Sequence, residues 1–266
     1  MALALVGLLG ACKTLEPQPK PPPFVSGFRI AAYRPFLTPG PLLPFRATGS
    51  ILVRVGEKVE TGKFILTANL FGGIAVQILA RITGALGLEL RFDPERLLLL
   101  NYVQKSFFEG PNTLNNRLRL FNLDLSPAEF LMAVTGRVPA AEFEAADGRL
   151  EGSGFAEMRT SAAQYRFALD SHGLPKSWVK EVGAKVVLRV EYRAYLLVPT
   201  SAGPPLRIPH KIRIYARSEK PAMVLGVSEF EAGAIGLERL TFSPPAEPGW
   251  RFEPLPDPSL DRFKNL

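Results

Sequence analysis

Leu123-Asp-Leu-Ser-Pro-Ala-Glu-Phe-Leu-Met-Ala-Val-Thr-Gly-Arg-Val-Pro139 is the stretch in which every local signal agrees on a helix. Ser126 stands at the N-cap, and Pro127 occupies the first helical position, where its missing N–H costs nothing. Glu129, three residues after the serine, completes a capping box. Leu125 and Phe130 are spaced as a hydrophobic staple, and Gly136 closes the far end. These signals predict a helix over 127–135. A helix this short has no stability of its own, so Phe130, Leu131 and Val134 need a surface to pack on.

That surface is a sheet. On the N-terminal side the apolar period changes to two. In Phe45 to Val55, Phe45, Ala47, Gly49, Ile51, Val53 and Val55 alternate with Arg46, Thr48, Ser50 and Arg54. Lys63 to Leu70, Ile74 to Ile82, Leu86 to Phe92 and Arg96 to Val103 repeat the pattern, with Gly72-Gly73 as a turn. On the C-terminal side come Arg149 to Met158, Tyr165 to Leu169 and Leu174 to Glu181, then Ala184 to Val198, Leu206 to Ala216 and Ala222 to Phe230. Gly152 and Gly154 suggest a bulge or close approach. The segment from Ser243 reads as a loop tied down through Trp250, Phe252 and Leu255.

The sum is a mainly β domain of about ten to twelve consecutive strands, antiparallel because no helical crossovers separate them. A meander of that length closes, splits into two layers or curls strongly. Leu97 to Leu100 and Leu196-Leu197 are apolar on both faces. That suits a strand between a lid and an apolar hollow, and equally a plain core strand.

The first residues, Met1-Ala-Leu-Ala-Leu-Val-Gly-Leu-Leu-Gly-Ala-Cys12, carry the only cysteine of the chain. The apolar run is too short to span a bilayer and leads through small residues to a thiol. Leu9-Gly-Ala-Cys12 resembles a bacterial lipobox, which implies lipidation of Cys12 and an outer-membrane anchor facing the periplasm. Lys13 in place of an aspartate after the cysteine fits that destination. No Lys or Arg precedes Cys12, so the natural signal is expected to begin upstream of Met1. The alternative is a small buried cysteine in an ordinary segment. The proline tract Pro17 to Pro23 reads as a stiff spacer. Divisions follow at 1–12 (signal), 13–44 (tether and lead-in), 45–255 (sheet domain) and 256–266 (tail).

Composition narrows the classes. Hydrophobic residues make up 47% of the chain, which is that of a folded protein. The net charge of +7 is compatible with anionic lipid headgroups. The cations are scattered through strands, without a basic aromatic groove, so nucleic acid is not an expected partner. His172 and His210 have no Cys, Asp or Glu at metal-ligand spacing, and no nucleophile elbow or phosphate loop is present. Neither catalysis nor a metal or cofactor is expected.

The helix segment, with its leucine-rich approach, Leu125-Ser-Pro-Ala-Glu129 and Gly136-Arg-Val-Pro139, resembles the bacterial lipoprotein-carrier superfamily of LolA, LolB and related outer-membrane lipoproteins. Arg46 to Val55 with Gly62 to Leu70 is similar to the opening hairpin. Leu174-Pro-Lys-Ser-Trp178, Leu206 to Arg213 and Phe242 to Phe252 are similar to later segments. The resemblance implies a strongly curved, unclosed antiparallel β-barrel with a short helical lid over an apolar cavity for acyl chains. On that reading the cavity candidates are Phe64, Leu66, Ile78, Leu88, Leu99, Phe130, Leu131 and Val134, although each also suits a plain core. Arg81 and Arg91 are candidates for the arginine that such carriers keep near the lid. The function implied is non-catalytic binding or transfer of lipid or lipidated protein. The alternative is an envelope assembly protein that binds a protein partner without a lipid cavity.

Overall fold

The computed structural model describes residues 44–55, 57–69, 73–138, 147–151, 154–199, 205–233, 242, 245 and 248–256. Cys12, the proline tract and the tail from residue 257 lie outside them.

Six strands form a meander: β1 (Phe45–Val55), β2 (Lys58–Ala68), β3 (Ile74–Ala80), β4 (Leu86–Phe92), β5 (Arg96–Asn101) and β6 (Ser106–Pro111). Two helices follow, α1 (Leu114–Phe121) and α2 (Pro127–Thr135). A second meander comprises β7 (Asp147–Glu151), β8 (Phe155–Arg159), β9 (Gln164–Leu169) and β10 (Pro175–Val182). It continues through β11 (Lys185–Val198), β12 (Leu206–Tyr215) and β13 (Met223–Ala232), and β14 (Arg251–Pro254) comes last. All fourteen strands join one sheet, in the order β14-β6-β5-β4-β3-β2-β1-β13-β12-β11-β10-β9-β8-β7. The sheet curls without closing, leaving β7 and β14 as its edges.

The seam between the two meanders is the antiparallel pair β1–β13, where Ala47 stands opposite Phe230 and Ile51 opposite Leu225. A register shift lies between Thr48 and Gly49. At that point the backbones approach so closely that a Cβ on Gly49 would lie 1.9 Å from the carbonyl oxygen of Gly226. Only glycine fits there.

Side-chain alternation sorts the sheet into two faces. Ala47, Leu66, Val76, Leu90, Leu99 and Phe108 stand opposite one another in a row across β1 to β6. A second row holds Phe64, Ile78 and Leu88, and a third Phe45, Ala68, Ile74, Phe92 and Leu97. Most of these residues share one apolar cluster with α2. In the second meander, Ala156, Phe167, Trp178, Val190, Ile212 and Leu225 belong to the same cluster.

The leucine run of β5 divides between the faces. Leu97 joins the main cluster, while Leu98 and Leu100 pack outside with Phe107, Tyr102, Phe242 and Trp250. Its two-sided apolar character therefore has a cause: the C-terminal segment covers the outer face. Trp250 meets Tyr102 edge-on, and Phe252 stacks on Phe107.

Four details differ from the sequence expectation. Arg149 to Met158 is two strands, β7 and β8, and Gly154 (φ +105°) belongs to the connection between them rather than to a bulge. Ser106 to Pro111 is a strand, although Gly110 and Pro111 read as loop residues; Gly110 admits Leu255, whose Cβ a glycine Cβ would meet at 2.6 Å. The closing segment contains β14, which runs parallel to β6 because the chain returns from a long connection to the sheet edge. Finally, α1 was not expected. Thr113 caps its start, accepting from the Asn116 N–H at 3.3 Å, and Asn122 ends it in the left-handed region at φ 54°.

Candidate functional site

The capping devices of α2 are all in place. The Ser126 hydroxyl accepts from the Glu129 N–H at 3.2 Å, and a Glu129 carboxylate oxygen accepts from the Ser126 N–H at 2.7 Å. Leu125 and Phe130 are both buried in the main cluster. Gly136 adopts φ 65° and closes the helix with its N–H on Met132 O. All nine residues of α2 are buried, so the helix lies within the molecule rather than on its surface.

What α2 touches explains its position. Phe130 packs edge-on against Phe92 of β4, with ring centres 5.5 Å apart. On the other side, the Tyr192 hydroxyl of β11 donates to Met132 O at 3.0 Å and accepts from the Trp178 indole of β10 at 2.9 Å. Burial pushes the Tyr192 phenol well above its ordinary pKa, with the neighbouring Tyr195 raising it further, so the hydroxyl stays a donor. The helix bridges the two meanders across the inner face.

A polar network fastens its N-terminal end. Glu129, 1% exposed, accepts from the Tyr165 hydroxyl at 2.7 Å and lies 3.0 Å from the Lys180 ammonium. Lys180 also lies 3.0 Å from Asp124 in the segment between the helices. Asp124 in turn faces Arg117 of α1 at 3.7 Å, and Arg117 donates to the Asn112 side chain at 3.0 Å. Asn116 of α1 donates to Pro111 O and Pro256 O, which ties the chain's closing segment to the same group. A buried lysine between two carboxylates stays paired in both directions, as buried charge requires.

Of the expected cavity residues, Phe64, Leu66, Phe130, Leu131 and Val134 are buried in the main cluster, and Ile78 packs against it half-buried. Leu88 and Leu99 share the inner face by register but remain half-buried, outside the cluster. The eight thus divide: five belong to the main cluster, three of them in α2, and three mark where the inner face of β3 to β5 is less covered.

Neither arginine candidate lies beside the helix. Arg91 projects on the face opposite Leu90 and Phe92 and pairs with Glu89 at 2.8 Å, a carboxylate that also accepts from Tyr102. Arg81 is exposed in the β3–β4 turn. The cations that join the polar network at the helices are Lys180 and Arg117. Lys180 was missed, although its shared parity with Trp178 in β10 marks an inward position where an unpaired lysine is not tolerated. Arg117 belongs to the helix the sequence reading passed over.

A separate groove of about 350 Å³ lies over β8, β9 and β10, with Phe155, Glu157, Arg166, Ala168, Ser177 and Val179 along it. Its charges are paired, Glu157 with Arg149 and Arg166 with Glu181. Among the described residues no group of three or more His, Cys, Asp or Glu side chains could hold a metal ion.

No family model and no curated protein matches this sequence. Solved structures do. A DUF1329 family protein from Desulfovibrio piger matches at TM-score 0.54 with 12% identity, over 80% of this chain and 92% of the other. A LolA superfamily protein from Nitrosomonas europaea matches at TM-score 0.48 with 12% identity, over 79% and 95%. A putative outer membrane lipoprotein-sorting protein domain from Vibrio parahaemolyticus matches at TM-score 0.49 with 11% identity, over 79% and 91%. At these identities the likeness concerns the fold alone. With one unclosed, curled sheet and two short helices bound to it, the chain shares its fold with the DUF1329 family protein.

Proposed function

We propose that this chain binds or transfers a lipid or an acylated protein without catalysis, anchored through Cys12 to the periplasmic face of an outer membrane. The observation that carries the proposal is the inner face of β1 to β6: apolar rows in register, with Ile78, Leu88 and Leu99 only half-covered beside α2. An acyl chain gains about 0.8 kcal/mol for each methylene it buries, so such a face needs area and a cover, and no reactive group. The helix bridges both meanders and is fastened at its N-terminal end by the Glu129–Lys180–Asp124 network. Displacement at its other end would enlarge the accessible apolar face without breaking that network.

Titration with a dansyl-labelled fatty acid tests this reading. Saturable fluorescence enhancement is expected, together with its loss in a Leu88→Asp/Leu99→Asp variant that keeps the parent's circular dichroism. An unchanged titration in that variant, or no enhancement with the parent, contradicts it.

A second reading rests on a different observation. The cluster around α2 is continuous, and the outer groove beside exposed Phe155 is open. A filled interior with an outer groove is what an envelope protein that binds a protein partner would present. In that case the acyl probe finds no saturable site.

A further inference from the structure

The second inner row of the sheet changes character along its length. From Phe64, Ile78 and Leu88 it continues in register across β5, β6 and β14 through Asn101, Ser106 and Arg251. The row beside it stays apolar through Val76, Leu90, Leu99 and Phe108, and turns polar only at Glu253 on the sheet edge. Inward positions of a sheet that faces an apolar cluster are places for hydrocarbon, so a serine and an asparagine there need partners.

Neither has a full set. Ser106 is 0% exposed, yet its hydroxyl has no hydrogen-bond partner among the described residues. A buried hydroxyl in that state has given up its bonds to water and gained nothing in return. Asn101 uses its carboxamide oxygen, which accepts from the Val103 and Gln104 N–H groups at 3.1 and 3.0 Å. Its amide nitrogen has no partner among the described residues. Arg251 is matched by Glu253 at 2.9 Å, so this end of the row is polar without carrying a free charge. The two idle groups are both able to donate.

They adjoin the part of the inner face that is half-covered, at Ile78, Leu88 and Leu99. A ligand whose hydrocarbon lies on those residues brings its first polar atoms to Asn101 and Ser106. Donors without an acceptor select a ligand that ends in one. We propose that this end of the row receives the carbonyl oxygen of an acyl group, with the Ser106 hydroxyl and the Asn101 amide donating to it and the chain lying over Leu88, Ile78 and Leu99. The flanking groups that must yield are side chains, Asn101 half-buried and Arg251 71% exposed. This rests on the lipid-binding reading above and adds to it the orientation of the ligand and the chemistry of its head. A free fatty acid and an acyl ester both carry the required oxygen.

Titration of the full chain with diphenylhexatriene, which has no acceptor, and displacement of that probe by laurate and by methyl laurate test the proposal. The parent is expected to bind all three, and the tighter of laurate and methyl laurate tells free acid from ester as the source. Ser106→Ala should weaken both laurate compounds about fivefold, the worth of one hydrogen bond, and leave diphenylhexatriene unchanged. Its melting temperature should equal or exceed the parent's, because the hydroxyl it removes is unpartnered in the fold. Asn101→Asp keeps the oxygen that caps the turn and replaces the amide with a negative charge, so laurate should weaken more than methyl laurate. A Ser106→Ala variant that loses nothing, or loses all three probes equally, would overturn the carbonyl site while the lipid-binding reading stands. A parent that binds none of the probes would overturn both.

Discussion

Glu129→Ala is expected to destabilise the fold by about 3–5 kcal/mol, the cost of breaking a buried charge pair from one side. The carboxylate serves three groups at once: the Ser126 N–H, the Tyr165 hydroxyl and the Lys180 ammonium. Its loss removes the reciprocal half of the capping box and the hydrogen bond from the buried Tyr165 hydroxyl. Lys180 keeps only Asp124. Replacing both charged partners, as Glu129→Gln/Lys180→Met, should recover much of the loss, because a pair can be exchanged for neutral groups more cheaply than it can be broken. Urea unfolding of Glu129→Gln, Lys180→Met and the double variant measures the coupling directly. A Glu129→Ala cost below about 1 kcal/mol, the size of a lone cap, would show that the network does not hold the helix.

Gly49→Ala should cost at least about 3 kcal/mol, the upper end of what overpacking produces. The added methyl would meet a backbone oxygen, which cannot rotate aside, at 1.9 Å. The position lies in the β1–β13 seam that makes one sheet of two meanders, so relief must come from separating those strands. Gly84→Ala is the contrasting variant. Nothing lies within 4 Å of its Cβ position, and its cost is confined to the backbone strain of φ +68°. Equal melting temperatures for Gly49→Ala and the parent would mean that the seam is looser than the register implies.

The helix α2 was legible to the residue because its signals are local and reinforce one another: cap, first-turn proline, capping box, staple and terminal glycine. The strands were legible wherever one face is polar, as in β1, β4 and β11. What escaped the sequence depends on contacts made far along the chain. β6 looks like a loop because its Gly110 and Pro111 are accommodated by Leu255 and the returning segment. α1 is polar and short, and is held by Asn116 reaching Pro111 and Pro256. Glu129 was read as a cap; its larger role appears only when β9 and β10 bring Tyr165 and Lys180 to it. The candidate cavity shows the same division. Periodicity put Phe64 with Leu66, and Ile78 and Leu88 each on the apolar side of its own strand, but could not tell which of them the helix covers, because coverage is set by the curl of the sheet.

On the proposed function, the apolar inner face beside α2 takes up lipid in a chain anchored through Cys12. Native mass spectrometry of the protein, released gently from membranes, tests both halves of that proposal at once. Acyl mass on Cys12 is expected, with a non-covalently retained lipid that leaves on collisional activation. Protein recovered from the soluble fraction with an unmodified Cys12 and no retained lipid would contradict it.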